Sequence, residues 1–353
     1  MELAAEKNTT QYLVVPHCGN MQEVAKEIGL KSCVVHFYGW LKKINTSHFD
    51  SGFLRRKLRN FIAVLQLSQL ILKLNVTVVF TNTSTMSVGA WAAKLTGRKH
   101  FWYVHELGEE DFEITFQRGL KSVGFMNRFS VQLFANSEYL LKKYQRLLPG
   151  INMSVIRNPV LIERPEQNVK IEKKNSLQLL MLGQVANSKG QHIAVEAIKI
   201  LIEQGYRLQL NITGSSNDAV YLQSLHRMLD ESALQKVVVF KTFTDSPVRT
   251  LLESDVLLMC SQCEAYGRVT VEAMKMGIPV IVSNTCGSAE IISDKKNGLV
   301  FEQGNSFSLA EKIKLIIIDE ALKNKIITGG FLRAKEISGS QDFLAFLKSI
   351  YTD

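Results

Sequence analysis

Residues 261–290 read SQCEAYGRVTVEAMKMGIPVIVSNTCGSAE. They follow an apolar run, Asp255 to Cys260, whose shortness and lack of alternation predict a strand buried on both faces, as in a parallel sheet. Glu264 falls in the turn after that strand. Gly267 lets the backbone bend closely, and a helix is expected from Arg268 to Met276 with Glu272 on it. Gly277 suits the C-terminal cap, and Pro279 cannot continue a helix, so Pro279 to Val282 restarts a strand. Two carboxylates, a glycine turn and a helix start thus meet at the carboxyl end of a parallel sheet, where open α/β sheets bind ligands. The free N–H groups of a helix start favour an anion such as a phosphate.

Working outward, the chain has 353 residues, a length that suggests two domains. Hydrophobic residues make up 46%, enough for two packed cores, and no apolar run is long enough to span a bilayer. The opening MELAAEKNTTQ is polar and acidic, so no secretory signal is expected there. Five cysteines cannot all pair and form no dense framework, which points to a reducing cytoplasm. Cys260 and Cys263 have C-x-x-C spacing but no thioredoxin context and no further ligands, so they read as strand-end packing. The net charge of +9 fits an anionic membrane face or phosphorylated substrates. No helix-turn-helix, zinc-finger or RNA-recognition pattern accompanies it, and nucleic acid is not expected as a partner.

Strands are expected at Gln11–Val15, Cys33–Phe37, Val76–Phe80, Lys99–Val104 and Val131–Ala135 of the first half. Helices are expected at Met21–Ile28, Met86–Leu95 and Glu138–Leu148, the last capped by Asn136-Ser137. Ser51 to Leu74 reads as a long helix with a basic start, Arg55, Arg56, Lys57 and Arg59. That start is either a solvated helix end or a patch for an anionic membrane surface. Ser154 to Val160 is a short strand and turn, and the charged, proline-containing run from Glu163 to Asn175 reads as a linker. Beyond it, strands at Leu177–Leu182, Leu208–Thr213, Val237–Phe240, Val256–Cys260, Val280–Ser283 and Leu299–Phe301 alternate with helices. That alternation argues for a doubly wound parallel sheet.

The segment Glu264-Ala-Tyr-Gly-Arg-Val-Thr-Val-Glu272-Ala-Met, continued by Gly277-Ile-Pro279-Val-Ile and Gly287-Ser-Ala-Glu290, resembles the E-x7-E signature of retaining glycosyltransferases of the GT-B fold, family 4. The resemblance implies two Rossmann-like doubly wound domains facing a central cleft. Residues 1–160 would be the acceptor-side domain, 161–338 the nucleotide-sugar-binding domain, and 339–353 a helix crossing back to the first domain. It implies a nucleoside-diphosphate sugar donor, UDP- or GDP-linked, and no cofactor or metal ion. The acceptor would be a saccharide or a polyprenyl-linked saccharide, and the setting bacterial surface-polysaccharide assembly at the cytoplasmic face of the membrane.

Carried over residue by residue, the resemblance puts Glu264 on the donor sugar and Glu272 on the ribose hydroxyls. The backbone around Tyr266, Gly267, Arg268, Val269 and Thr270 would lie against sugar and phosphate oxygens. Gly183-Gln184 and Lys189-Gly190 match the family's G-R…K-G loop on the diphosphate, with Gln184 standing where arginine is usual. Gly214 would belong to the pocket floor, and Thr242 and Phe243 to the loop beside the base. His105, in the segment HELGEED after a strand, would face the donor sugar. In such enzymes the diphosphate leaves and the acceptor hydroxyl attacks from the same face, so the protein mainly stabilises the leaving group and positions both substrates. Tyr12 to Trp40 resembles the family's second strand, helix and third strand, so the family's opening β–loop–α unit is not matched. Two rival readings stay open: an epimerase or phosphorylase using the same cleft, and a nucleotide-sugar-binding scaffold without turnover.

Overall fold

The computed structural model describes residues 10–43, 52–108, 110, 114–116, 124–126, 128–165, 175–229, 232–338 and 345. The strands fall into two α/β lobes. The first begins with β1 (Tyr12–Val15), α1 (Asn20–Glu27), β2 (Lys31–Val34), β3 (Leu41–Lys43) and α2 (Phe53–Lys73). It continues with β4 (Val78–Thr81), α3 (Val88–Thr96), β5 (Lys99–Val104), β6 (Ile114–Phe116), β7 (Gln132–Ala135), α4 (Glu138–Leu147) and β8 (Met153–Val155). β4, β5, β7 and β8 pair in parallel in that order, while β1 and β2 form a separate parallel pair. The antiparallel pair of β3 and β6 was not expected, because strands of three residues are too short to carry a periodic signal. The strand expected at Cys33–Phe37 lies instead at Lys31–Val34.

The second lobe contains β9 (Leu177–Leu182), a 3-10 turn (Asn187–Lys189), α5 (Gln191–Glu203), β10 (Leu208–Thr213), α6 (Ala219–Met228), α7 (Ser232–Gln235) and β11 (Val238–Lys241). α8 (Pro247–Leu252), β12 (Val256–Met259), α9 (Arg268–Lys275), β13 (Val280–Ser283), α10 (Cys286–Ile291), β14 (Leu299–Phe301), α11 (Ser306–Ile318) and α12 (Glu320–Ile337) follow. Its six strands run in parallel in the order β11-β10-β9-β12-β13-β14. The chain works outward from β9 to β11, then returns to lay β12 on the other side of β9. A crevice therefore opens beyond the carboxyl ends of β9 and β12, the switch point of a doubly wound sheet.

Alternate residues of the strands bury on opposite faces. Leu179, Leu258 and Ile281 join one apolar cluster with Ile193, Ala197, Ile198 and Leu201 of α5. Leu180, Leu257, Val280 and Val282 join the other, with Val271 and Met274 of α9. Each fully buried aliphatic side chain contributes about 1.5–3 kcal/mol, so the second sheet is a rigid platform for the loops at its edge. The lobes meet where Cys263 and Ala265 share an apolar cluster with Leu140 and Tyr144 of α4. Beside it the Glu138 N–H at the start of α4 donates to Glu290 Oε2 at 3.0 Å, a carboxylate of one lobe capping a helix of the other. The expected linker and the expected last helix within 339–353 lie largely outside the described residues.

Candidate active site

The crevice between β9 and β12 holds a cavity of about 290 Å³. Its wall includes Gly183, Gln184, Lys189 and Gln191 from the loop after β9, and Ser261, Glu264, Gly267, Arg268 and Val269 from the turn after β12. These two segments are remote in sequence and come together because β9 and β12 are neighbours. Gly190 makes the approach possible: its φ is +69°, and a Cβ there would overlap the Cys260 carbonyl group. Gly267 caps α9 from the left-handed region, φ 76°, which turns the backbone so that the helix begins at the cavity.

Lys189 Nζ donates to Glu264 Oε1 at 2.7 Å, and Ser261 Oγ donates to the same oxygen at 2.7 Å. A cation, a carboxylate and a hydroxyl are thus joined on one wall. Arg268 Nη2 lies 3.2 Å from Glu272 Oε1, one helical turn further on, with the arginine side chain 59% and the glutamate side chain 10% exposed. Glu272 is thus held next to Arg268, which lines the cavity, without lining the cavity itself. Thr270 Oγ1 is buried within the first turn of α9 and has no hydrogen-bond partner.

The other expected site residues are distributed around this centre. Gly214 lies against the Gly183 carbonyl, on the adjoining strand end. Thr242 and Phe243 lie further out, beyond β11, where Phe243 is 77% exposed. Tyr266 turns into the core: its hydroxyl donates to the Ile337 carbonyl at 2.7 Å, so its ring belongs to packing and not to the cavity wall. His105 is on the first lobe, after β5. Its Nε2 bonds Asn82 Oδ1 at 2.6 Å, and its ring packs against Tyr103 at a tilt, centroids 4.0 Å apart and planes at 56°. Burial holds the His105 imidazole below its ordinary pKa, with the Glu106 carboxylate pulling the other way.

The sequence reading missed Ser261 and Gln191 in the second lobe and Glu106 in the first. Glu106 accepts from Thr83 Oγ1 at 2.6 Å, from Ser84 N at 2.9 Å and from Ser84 Oγ at 2.8 Å. It ties the loop after β4 to the loop after β5, at the edge that carries His105. A run of hydroxyl residues at one strand end and an acid at the next was the available signal. The reading of Cys263 as packing is also corrected, since Cys263 is disulfide-bonded to Cys286. A pair 23 residues apart, joining the Glu264 turn to the start of α10, is invisible to spacing rules. Cys260 is wholly buried, and burial pushes its thiol well up, as the packing reading requires.

Residues 163–333 match the family model described as Glycosyl transferases group 1. The capsular polysaccharide biosynthesis glycosyltransferase CapM of Staphylococcus aureus is 27% identical over 191 residues, 52% of this chain and 50% of that protein. The poly(glycerol-phosphate) alpha-glucosyltransferase of Bacillus subtilis is 25% identical over 198 residues, 55% of this chain and 28% of that protein. This chain thus spans half or less of the length of these curated relatives. The crystal structure of Anabaena Alr3699/HepE in complex with UDP-glucose superposes with a TM-score of 0.77 at 21% identity, covering 96% of this chain and 91% of that one. A likeness at that identity establishes the fold, two Rossmann-like lobes facing a cleft.

Proposed function

We propose that the protein, whose residues 163–333 match the glycosyl transferases group 1 family within a two-lobed GT-B fold, transfers a sugar from a nucleoside diphosphate to an acceptor hydroxyl with retention. The observation that carries this reading is the single cavity wall on which Lys189, Glu264, Ser261 and the start of α9 converge. Lys189 and the N–H groups at the start of α9 hold the diphosphate and stabilise the charge that develops as it leaves. Glu264 orients the sugar ring, and Glu272 accepts from the ribose hydroxyls. His105, kept neutral by burial, hydrogen-bonds a sugar hydroxyl from the opposite lobe. The leaving phosphate takes the acceptor proton, so each atom the protein contributes acts by position and charge.

The names of the relatives favour a UDP-sugar and a surface-polysaccharide or poly(glycerol-phosphate) acceptor, held either free or on a polyprenyl lipid. α2 fits a membrane-peripheral setting. Leu54, Leu58, Phe61, Leu65 and Leu72 stand exposed on one stripe of that helix, with Arg55, Arg59 and Lys73 along its flank. Its first turn contains no acid, and Arg55, Arg56, Lys57 and Arg59 lie near the positive end of the helix dipole, where they oppose the dipole rather than help the helix. An anionic lipid surface would offset that cost.

The test is calorimetry with UDP- and GDP-sugars, repeated with Glu272→Ala. Saturable binding of one donor, weakened in the variant, followed by transfer to a polyprenyl-linked acceptor pool, is the expected result. Failure of every nucleotide sugar to bind the wild type would end the transferase reading. Donor breakdown without any acceptor would favour the epimerase or phosphorylase reading instead.

A further inference from the structure

Among the described residues that line the cavity, only Lys189 and Arg268 carry positive charge. Lys189 already serves Glu264, and Gln184, on the same loop, brings no charge. A nucleoside diphosphate sugar presents a charge on each phosphate, so one lysine that also holds a carboxylate matches it poorly. Arg268 is the remaining cation of the wall. Its Nη2 donates to Glu272 Oε1 at 3.2 Å.

The placement of Arg268 runs against the helix that carries it. It is the first residue of α9, whose first turn contains no acid. A cation there meets the positive end of the helix dipole, an end that acidic side chains stabilise. The pair is also in the weaker order, since an i,i+4 pair favours the acid on the N-terminal side. With the arginine side chain 59% exposed, such a pair adds little to folding and is readily exchanged. What the position does supply is convergence. The guanidinium and the first N–H groups of α9 lie at the same cavity, and both suit one anion. A helix rule broken beside a ligand cavity is the expected mark of a functional residue.

We infer that Arg268 changes partners as the donor binds, leaving Glu272 for the diphosphate. Glu272 is 8% exposed and does not line the cavity, whereas Arg268 does, so the guanidinium is the cavity-side member of the pair. A ribose diol that bonds Glu272 competes with the guanidinium for the same carboxylate. Its arrival releases Arg268, whose long side chain then turns to the nearest anion. Arg268 thereby supplies the phosphate charge that Gln184 lacks. The exchange also makes the site selective. Ribose and phosphates are recognised as one unit, because the ribose contact frees the cation that holds the phosphates. Inorganic diphosphate or a sugar phosphate has no ribose and must draw Arg268 from Glu272 unaided. This assignment rests on the transferase reading, in which Glu272 takes the ribose.

Calorimetry on the full chain tests the exchange with three probes: whichever of UDP and GDP binds, its nucleoside, and inorganic diphosphate. Arg268→Ala should weaken both diphosphate probes by about 10-fold or more, the scale of one charge-assisted hydrogen bond. The same variant should bind the nucleoside about 2–5-fold more tightly, because a competitor for Glu272 has gone. That gain should vanish in a Glu272→Ala background, and Arg268→Lys should recover part of the diphosphate affinity. Three results in Arg268→Ala would each overturn the inference: unchanged diphosphate binding, unchanged nucleoside binding, or weakening of all three probes together, the mark of a merely structural role. In each case binding of UDP or GDP by the wild type leaves the transferase reading standing. Binding of neither by the wild type would overturn both.

Discussion

Lys189 and Glu264 face each other at 2.7 Å across the switch point of the second sheet, the lysine from the loop after β9 and the glutamate from the turn after β12. Both side chains are about one-fifth exposed, so the pair is neither a solvated surface contact nor a sealed internal one. A diphosphate entering the cavity would share Lys189 with the carboxylate, which links phosphate binding to the orientation of Glu264. Lys189→Ala should therefore lower kcat/KM by about 10²–10³-fold, the scale for removing one preorganised charge donor. Lys189→Arg should recover part of this loss. Steady-state kinetics with the donor identified by calorimetry decides it, and an unchanged kcat/KM in the alanine variant would remove Lys189 from the mechanism.

Gln184 lines the same cavity without a charge. Gln184→Arg adds a guanidinium where the diphosphate is expected, and a charge-assisted hydrogen bond contributes about 1.5–3 kcal/mol. The variant should bind UDP about 10-fold more tightly or better, as read by calorimetry at fixed ionic strength. Equal or weaker binding would mean that the diphosphate lies away from the Gly183–Lys189 loop.

The Arg268–Glu272 pair separates stability from binding. Because Arg268 is mostly exposed, the pair contributes about 0–1 kcal/mol to folding. Arg268→Ala should shift Tm by no more than a few degrees, about 2–4 °C per kcal/mol at this size. Glu272→Ala should weaken donor binding by about 10-fold or more, since it removes an acceptor for two hydroxyls. The two measurements, thermal melting and donor titration, should move independently.

His100 predicts an acid limit to stability. It is 3% exposed between Thr81 Oγ1 and Ser130 Oγ, and burial lowers its pKa to about 4 from an ordinary 6.5. The folded chain therefore binds this proton less readily than the unfolded one. The associated stability is fully present above about pH 6.5 and declines as the pH falls toward 4, by about 1.4 kcal/mol per pH unit. Denaturation at successive pH values should show that slope in the wild type, and His100→Gln should flatten it.

The exposed stripe of α2 can be tested with lipid vesicles. Sedimentation with phosphatidylglycerol-containing vesicles should recover the wild type and lose it with rising salt, since screening weakens the basic flank. Leu58→Glu together with Phe61→Glu should abolish recovery while leaving donor binding unchanged, because neither residue is near the cavity. Equal recovery of both proteins would assign the stripe to some other cover.

The second lobe was legible because its information is local. Continuous apolar runs mark its buried strands, and Gly267, Gly277 and Pro279 punctuate α9, so Leu177–Leu182, Leu208–Thr213, Val280–Ser283 and Leu299–Phe301 fall where the pattern puts them. Within residues 261–290 the order strand, glutamate turn, helix and strand could be read directly, and with it the grouping of Glu264 with Gly267 and Arg268. What the linear pattern could not supply were relationships across the sheet. The ion pair of Lys189 with Glu264, the bond of Cys263 to Cys286 and the burial of Tyr266 toward Ile337 join segments far apart in sequence. Propensity and periodicity act over one turn or one strand. Only strand order and the close packing of two lobes decide which strand ends share a crevice and which glutamate meets the lysine.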